Sequence, residues 1–180
     1  MSVPDSSIAS VVSRLGLEPH PEGGHFRRWY THTPASPAPE ASSPPRGCAS
    51  SILYLLPRGC TSSLHTLGSD EIWLYQGGCS LTVVQISESG EVTESSVEPG
   101  APLLVKTGAL FGAYVPSSTG SNSSSAGAGE GSGEDSYALV CCVVVPAFVW
   151  SEFIMPDKKE LLQRFSGNAA ALAAVERLCR

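Results

Sequence analysis

The chain has 180 residues, 42% apolar and only 16% charged, with 18 Gly and 14 Pro, a balance that suits one domain of many short strands and turns rather than long charged helices. Its net charge is −6 and its eleven Lys and Arg form no basic stripe, so nucleic-acid binding is not expected. No stretch approaches the roughly 20 apolar residues of a membrane span, and MSVPDSSIASVVSRLG lacks the pattern of a signal peptide, so the expectation is a cytoplasmic protein with no membrane contact.

Along the chain, Asp5 or Ser6 is placed to cap a short helix whose apolar positions Ile8, Val11, Val12 and Leu15 recur at helical spacing, and Gly16 is placed to end it. PHPEGG follows, in which Glu22, Gly23 and Gly24 read as a turn before a strand. Residues 33–49 are dominated by Pro, Ser and Ala, and residues 117–136 by Ser and Gly. Both tracts lack a periodic apolar face and read as flexible insertions within one domain spanning 1–180.

Apolar runs recur between and beside these tracts at 51–56, 63–67, 71–76, 81–86, 103–105, 109–115 and 137–145, which predicts seven or more short strands and a sandwich or jelly-roll barrel. Asp157 and Glu160 form a capping-box pattern ahead of Leu161, Leu162 and Phe165, and a further helix is expected over 168–179. The six cysteines (Cys48, Cys60, Cys79, Cys141, Cys142 and Cys179) show no C-x-x-C spacing and are expected to be reduced thiols that fill space.

Strand alternation places Ser63, His65 and Leu67 on one face and, after a turn at Gly68-Ser69, Glu71, Trp73 and Tyr75 on the same face. A hairpin there brings His65 and Glu71 together inside the barrel, with Ser63 and Trp73 beside them. A slip of one residue would send all of them outward.

The segment GCTSSLHTLGSDEIWLYQGG sets Gly59, His65, Glu71 and Gly78 at the spacing of the first cupin motif, G-x5-H-x-H-x3-E-x6-G, with Leu67 in place of its second histidine. The second motif, G-x5-P-x-G-x2-H, keeps Gly100 and Gly108 but has Lys106 at its proline and Phe111 at its histidine. More of the chain resembles one uncharacterised cupin family, the cupin-5-like family, through L-x-P-H-P-E-G-G-x-F-R at 17–27, S-x-H-x-x-x-S-D-E-I-W at 63–73 and P-G-F-x-x-x-x-F at 146–153. Ala147 departs from the glycine of the last block, Thr66 stands where the family tends to have arginine, and His25 stands where it is usually aromatic.

The resemblance implies an all-β cupin jelly-roll barrel with short N- and C-terminal helices, commonly dimeric, whose interior binds a small polar molecule such as a sugar. Some metal-free cupins similar to this one are epimerases. In that scheme His65 abstracts a proton beside a carbonyl, Glu71 or Asp70 orients it, and a tyrosine such as Tyr75 or Tyr114 returns one. Glu22, Arg27, Ser63 and Trp73 are the expected ligand-binding residues, and no metal or other cofactor is expected. A catalytic metal needs about three protein ligands, whereas the motif supplies His65 and Glu71, and His20, His25 and His32 lie on a separate segment.

Plainer readings stand beside these. His65 is then a buried histidine satisfied by a neighbour, Glu71 a turn carboxylate or the partner of Arg27 or Arg28, and Trp73 core packing. A non-catalytic binding module and a metal-dependent cupin enzyme are the alternatives at the level of function.

Overall fold

The computed structural model describes residues 7–33, 46–117 and 136–179. Most of each low-complexity tract, 34–45 and 118–135, lies outside the described residues, as do Asp5 and Ser6. Helix α1 (Ile8–Leu15) is capped by Ser7, whose Oγ accepts from the Ser10 N–H at 3.3 Å, and is ended by Gly16 in the left-handed conformation. The cap therefore sits one or two residues later than expected. Val11 of α1 packs with Leu17 and Leu55 in a small satellite core.

Ten strands follow among the described residues: β1 (Glu18–Pro19), β2 (His25–Thr31), β3 (Ser50–Pro57), β4 (Thr61–His65), β5 (Asp70–Gly78), β6 (Leu81–Ile86), β7 (Val92–Val97), β8 (Leu103–Val105), β9 (Leu110–Tyr114) and β10 (Tyr137–Val145). They pair antiparallel into two sheets, one in the order β1-β2-β3-β10-β5-β8 and one in the order β4-β9-β6-β7. Residue parity decides what each face buries. On β6, Leu81 and Val83 turn into the barrel with Tyr54, Trp73, Phe111 and Ala113, whereas Val84 and Ile86 turn outward.

Those outward residues are covered by Leu161 of α2 (Lys158–Arg164), by Phe165 at its C-cap, and by Val175 and Leu178 of α3 (Ala169–Leu178). Asp157 caps α2 by accepting from the Lys159 and Glu160 N–H groups. None of the helices among the described residues is long and apolar enough to cross a membrane.

The ends of the two tracts are tied to the barrel. His32 N–H donates to Ala49 O at 2.8 Å, Ala147 N–H to Gly47 O at 3.0 Å, and Arg58 N–H to Ser136 O at 2.8 Å. Residues 46–49, read from composition as part of a flexible insertion, are thus hydrogen-bonded structure.

Candidate functional site

Four separated stretches converge on one cavity: the turn and strand at 20–28, β3, the β4–β5 hairpin, and β10 with the segment after it. The turn is fixed by backbone need. Gly24 has φ +68, and a Cβ there would lie 2.6 Å from Leu55 O, so only glycine fits. Tyr54 Oη donates to Gly23 O at 2.9 Å, and Ser63 N–H donates to Glu22 O at 2.9 Å. PHPEGG is therefore both a turn and the carrier of two site residues, His20 and Glu22.

Glu22 is 6% exposed and His65 2%. Glu22 Oε1 accepts from Ser62 Oγ at 2.8 Å, and Oε2 lies 3.4 Å from both His20 Nδ1 and His65 Nε2. His65 Nδ1 is 2.7 Å from Ser63 O. A carbonyl only accepts, so Nδ1 carries hydrogen, and Nε2 is the atom that takes up or releases a proton. His20 Nδ1 accepts from the Glu22 N–H at 3.4 Å, and burial, outweighing nearby Glu22, holds its pKa down and keeps the ring neutral.

Glu71 stands apart from this trio. Burial, reinforced by the charge on Glu22, pushes its pKa from 4.5 up to about 8, against a weaker opposing influence from Trp73 and Cys142. At neutral pH Glu71 is a neutral carboxylic acid. Its Oε2 and the Trp73 indole N–H both lie buried without a completed hydrogen bond. The same surroundings raise Tyr54 and Cys142, in both cases chiefly through burial. The pocket thus sets one His–Glu couple beside one carboxyl held protonated, an arrangement suited to acid–base work.

Of the residues singled out in the sequence, Glu22, His65, Glu71 and Trp73 line the cavity and Arg27 and Ser63 do not. On β4, Ser62 pairs with Ala113 and His65 with Phe111, so three steps along one strand match two along the other. The extra residue is a β-bulge, and it gives Ser62, not Ser63, the interior face beside His65. On β2, Phe26 and Arg28 alternate into the cavity, which turns Arg27 to the opposite face.

The expected supporting groups are also reassigned. Asp70 is engaged by Lys106 and the Thr107 N–H at the surface, so Glu22, not Asp70 or Glu71, stands against the His65 ring. Tyr75 Oη donates to Gly78 O and Tyr114 Oη to Glu94, and neither lines the cavity. The tyrosine that does is Tyr54. In the sequence His20 enters only as a metal-ligand candidate and Arg28 only as a partner for Glu71, and Tyr54 does not enter at all; Arg27 comes from the family block at 17–27, whereas the alternation of β2 gives the cavity to its neighbour Arg28.

A metal centre does not fit this donor set. Leu67 lines the cavity as an apolar wall, and the Phe111 ring packs 4.2 Å from the His65 ring where the second cupin motif has a histidine. Among the described residues no group of three or more His, Cys, Asp or Glu is arranged to hold a metal ion.

Two antiparallel sheets closed around an interior His–Glu pocket define a cupin jelly-roll barrel. The chain belongs to the family Cupin_5, Cupin superfamily (DUF985), which it matches over residues 9–156. Protein SO0799 from Shewanella oneidensis is 29% identical, with a TM-score of 0.74 over 97% of this chain and 98% of that one. A hypothetical protein from Leishmania major is 24% identical, with a TM-score of 0.69 over 93% and 97%. A mutant oxalate decarboxylase from Bacillus subtilis shares 14% identity and a TM-score of 0.51 over 82% of this chain and 34% of that one, a likeness of fold alone. No curated protein matches the chain.

Proposed function

We propose that the barrel binds a small polar molecule bearing a carbonyl group and moves a proton on it without a metal, as an isomerase or epimerase does. The observation that carries this reading is the protonated Glu71 in the same pocket as the Glu22–His65 couple. His65 Nε2 takes a proton from the carbon beside the carbonyl. The electron pair of that C–H bond becomes the new C=C bond, and the carbonyl pair moves onto oxygen, which Glu71 stabilises by donating its hydrogen. Glu22 neutralises the imidazolium so formed and acts as a positioning residue. Return of a proton to the opposite face of the same carbon, with Glu71 taking its hydrogen back, completes an epimerisation; in an α-hydroxy carbonyl compound, return to the former carbonyl carbon while the α-hydroxyl gives its proton to Glu71 and becomes the new carbonyl completes an isomerisation.

The cavity measures about 40 Å³, room for roughly three water molecules. That space favours a small ligand, or one that inserts a single end.

The test is exchange of carbon-bound hydrogen in D2O, followed by proton NMR over a panel of small aldehydes, ketones and keto acids. Exchange by the wild-type protein that His65→Ala abolishes and Glu22→Gln weakens supports the reading. Binding without exchange sinks it in favour of a non-catalytic binding module. That second reading draws on one observation: both His65 nitrogens already face partners within the chain.

A further inference from the structure

The floor and the mouth of the cavity present different unmet needs. At the floor, Glu71 Oε2 and Trp73 Nε1 are buried without completed hydrogen bonds, and the two residues are 6% and 1% exposed. Buried polar groups in native proteins are nearly always satisfied, so a pair left open in a cavity points to a ligand. The Trp73 N–H and the Cys142 thiol lie within hydrogen-bonding influence of the Glu71 carboxyl without completing a well-formed bond to it, and because Glu71 keeps its proton the open position is one for an acceptor oxygen.

At the mouth stands Arg28, exposed on β2 and in no ion pair with any carboxylate among the described residues. Its guanidinium Cζ sits 5.1 Å from the centre of the Phe148 ring, which holds the charge beside the opening while leaving its N–H donors available. Between floor and mouth the walls are rings: Phe26, His20, Trp150 and Phe153. Glu22 faces the two histidines, so the cation at the mouth has no anion of its own.

We propose that the ligand is a small carboxylic acid carrying a second, carbonyl oxygen. The carbonyl enters first and accepts from Trp73 Nε1 and Glu71, the short apolar segment lies against the rings, and the carboxylate pairs with Arg28 at the mouth. The carbonyl half deepens the proton-transfer reading and rests on it, whereas the carboxylate half stands on Arg28 alone. Arginine is suited to this task because its planar fork matches a carboxylate with two parallel hydrogen bonds.

Calorimetric titration of the full chain with pyruvate, acetoacetate, 4-oxopentanoate and 5-oxohexanoate, each beside its methyl ester, tests the proposal. At least one acid should bind about tenfold or more tightly than its ester, the loss expected when a charged hydrogen-bonding partner is removed. Arg28→Ala should erase that preference, Arg28→Lys should restore part of it, and added salt should weaken the acid alone. Acids and esters of equal affinity, an unchanged preference in Arg28→Ala, or no binding by any acid would each overturn it. The two readings fail separately. Arg28-dependent binding of acids without hydrogen exchange removes the catalytic reading and leaves the ligand class, and exchange on neutral ketones regardless of Arg28 does the reverse.

Discussion

Glu71 shows how one residue's surroundings set both stability and chemistry. Its carboxyl is shut away from water and close to a second carboxylate, so the neutral form is favoured and its pKa rises to about 8. In the unfolded chain the group releases its proton near pH 4.5, while the folded chain keeps it. Between these values the folded state binds more protons, so this group makes stability fall as pH rises from about 4.5 to about 8 and level off above. At about 1.4 kcal/mol per pKa unit, the fall amounts to a few kcal/mol. His20 acts oppositely below pH 6.5, because its lowered pKa makes the folded state bind fewer protons there. The difference between wild type and Glu71→Gln cancels that contribution. The carboxamide cannot ionise, so Glu71→Gln should gain stability relative to wild type steadily from pH 5 to pH 8. Urea unfolding at three pH values measures it, and a difference that stays flat would show that Glu71 ionises freely in the folded protein. His65, Glu71 and Trp73 were legible as cavity residues because strand parity and the motif spacing around them agree, and Glu22 because it lies in the family block at 17–27. Ser63 was misplaced because the β-bulge in β4 shifts the parity count by one, and Arg27 because a family block names a segment without saying which of its residues face the cavity.

Elements were legible where their boundaries carry their own chemistry. Gly16, Asp157 and Asn168 mark helix ends and appear there in the structure. Strand β7 escaped because it is an edge strand, and its pattern Thr93, Glu94, Ser95, Ser96 offers no apolar run to detect. Asn168 does more than its sequence announces. Its Oδ1 accepts from the Ala171 N–H at 3.0 Å to cap α3, while its Nδ2 donates to Gly90 O at 2.9 Å in the β6–β7 turn. The side chain thus joins the helical layer to the sheet beneath it. Asn168→Ala should cost roughly 1–2 kcal/mol, the usual loss for a cap together with one neutral hydrogen bond. Asn168→Asp keeps the capping oxygen and loses the donor, so it should fall between wild type and alanine. Equal losses for both variants in urea unfolding would locate the whole effect in the Gly90 contact.

At the scale of the molecule, the site depends on a joint between segments more than a hundred residues apart. Arg46 donates from Nε to Ala147 O at 2.6 Å, from Nη1 to Glu152 Oε1 at 3.0 Å and from Nη2 to Ser69 Oγ at 2.9 Å. Ser69 in turn donates to Pro146 O at 2.8 Å. A Cβ on Gly68 would lie 2.0 Å from Glu152 Oε2, so the β4–β5 turn leaves space for this contact only as glycine. The segment held in this way carries Phe148, Trp150 and Phe153, the aromatic wall at the cavity mouth. No composition argument could find Arg46, because it lies at the end of a Pro/Ser-rich tract and its partners are distant in sequence. The ion pair is partly exposed and contributes little by itself, but the three directed hydrogen bonds fix the wall against the hairpin. Arg46→Ala should therefore lower global stability by only about 1–2 kcal/mol, with a larger effect on local order. The amides of Phe148, which donates to Ser50 Oγ, and Ile154, which donates to Thr66 O, report that order directly. Their hydrogen exchange should speed by roughly tenfold while amides in β6 change little, since a local opening releases only the contacts it crosses. Arg46→Lys keeps the charge without the fork and should recover only part of the protection. If the exchange of both amides is unchanged in Arg46→Ala, the wall is held by its own ring packing, and the guanidinium is a surface contact with no part in shaping the mouth.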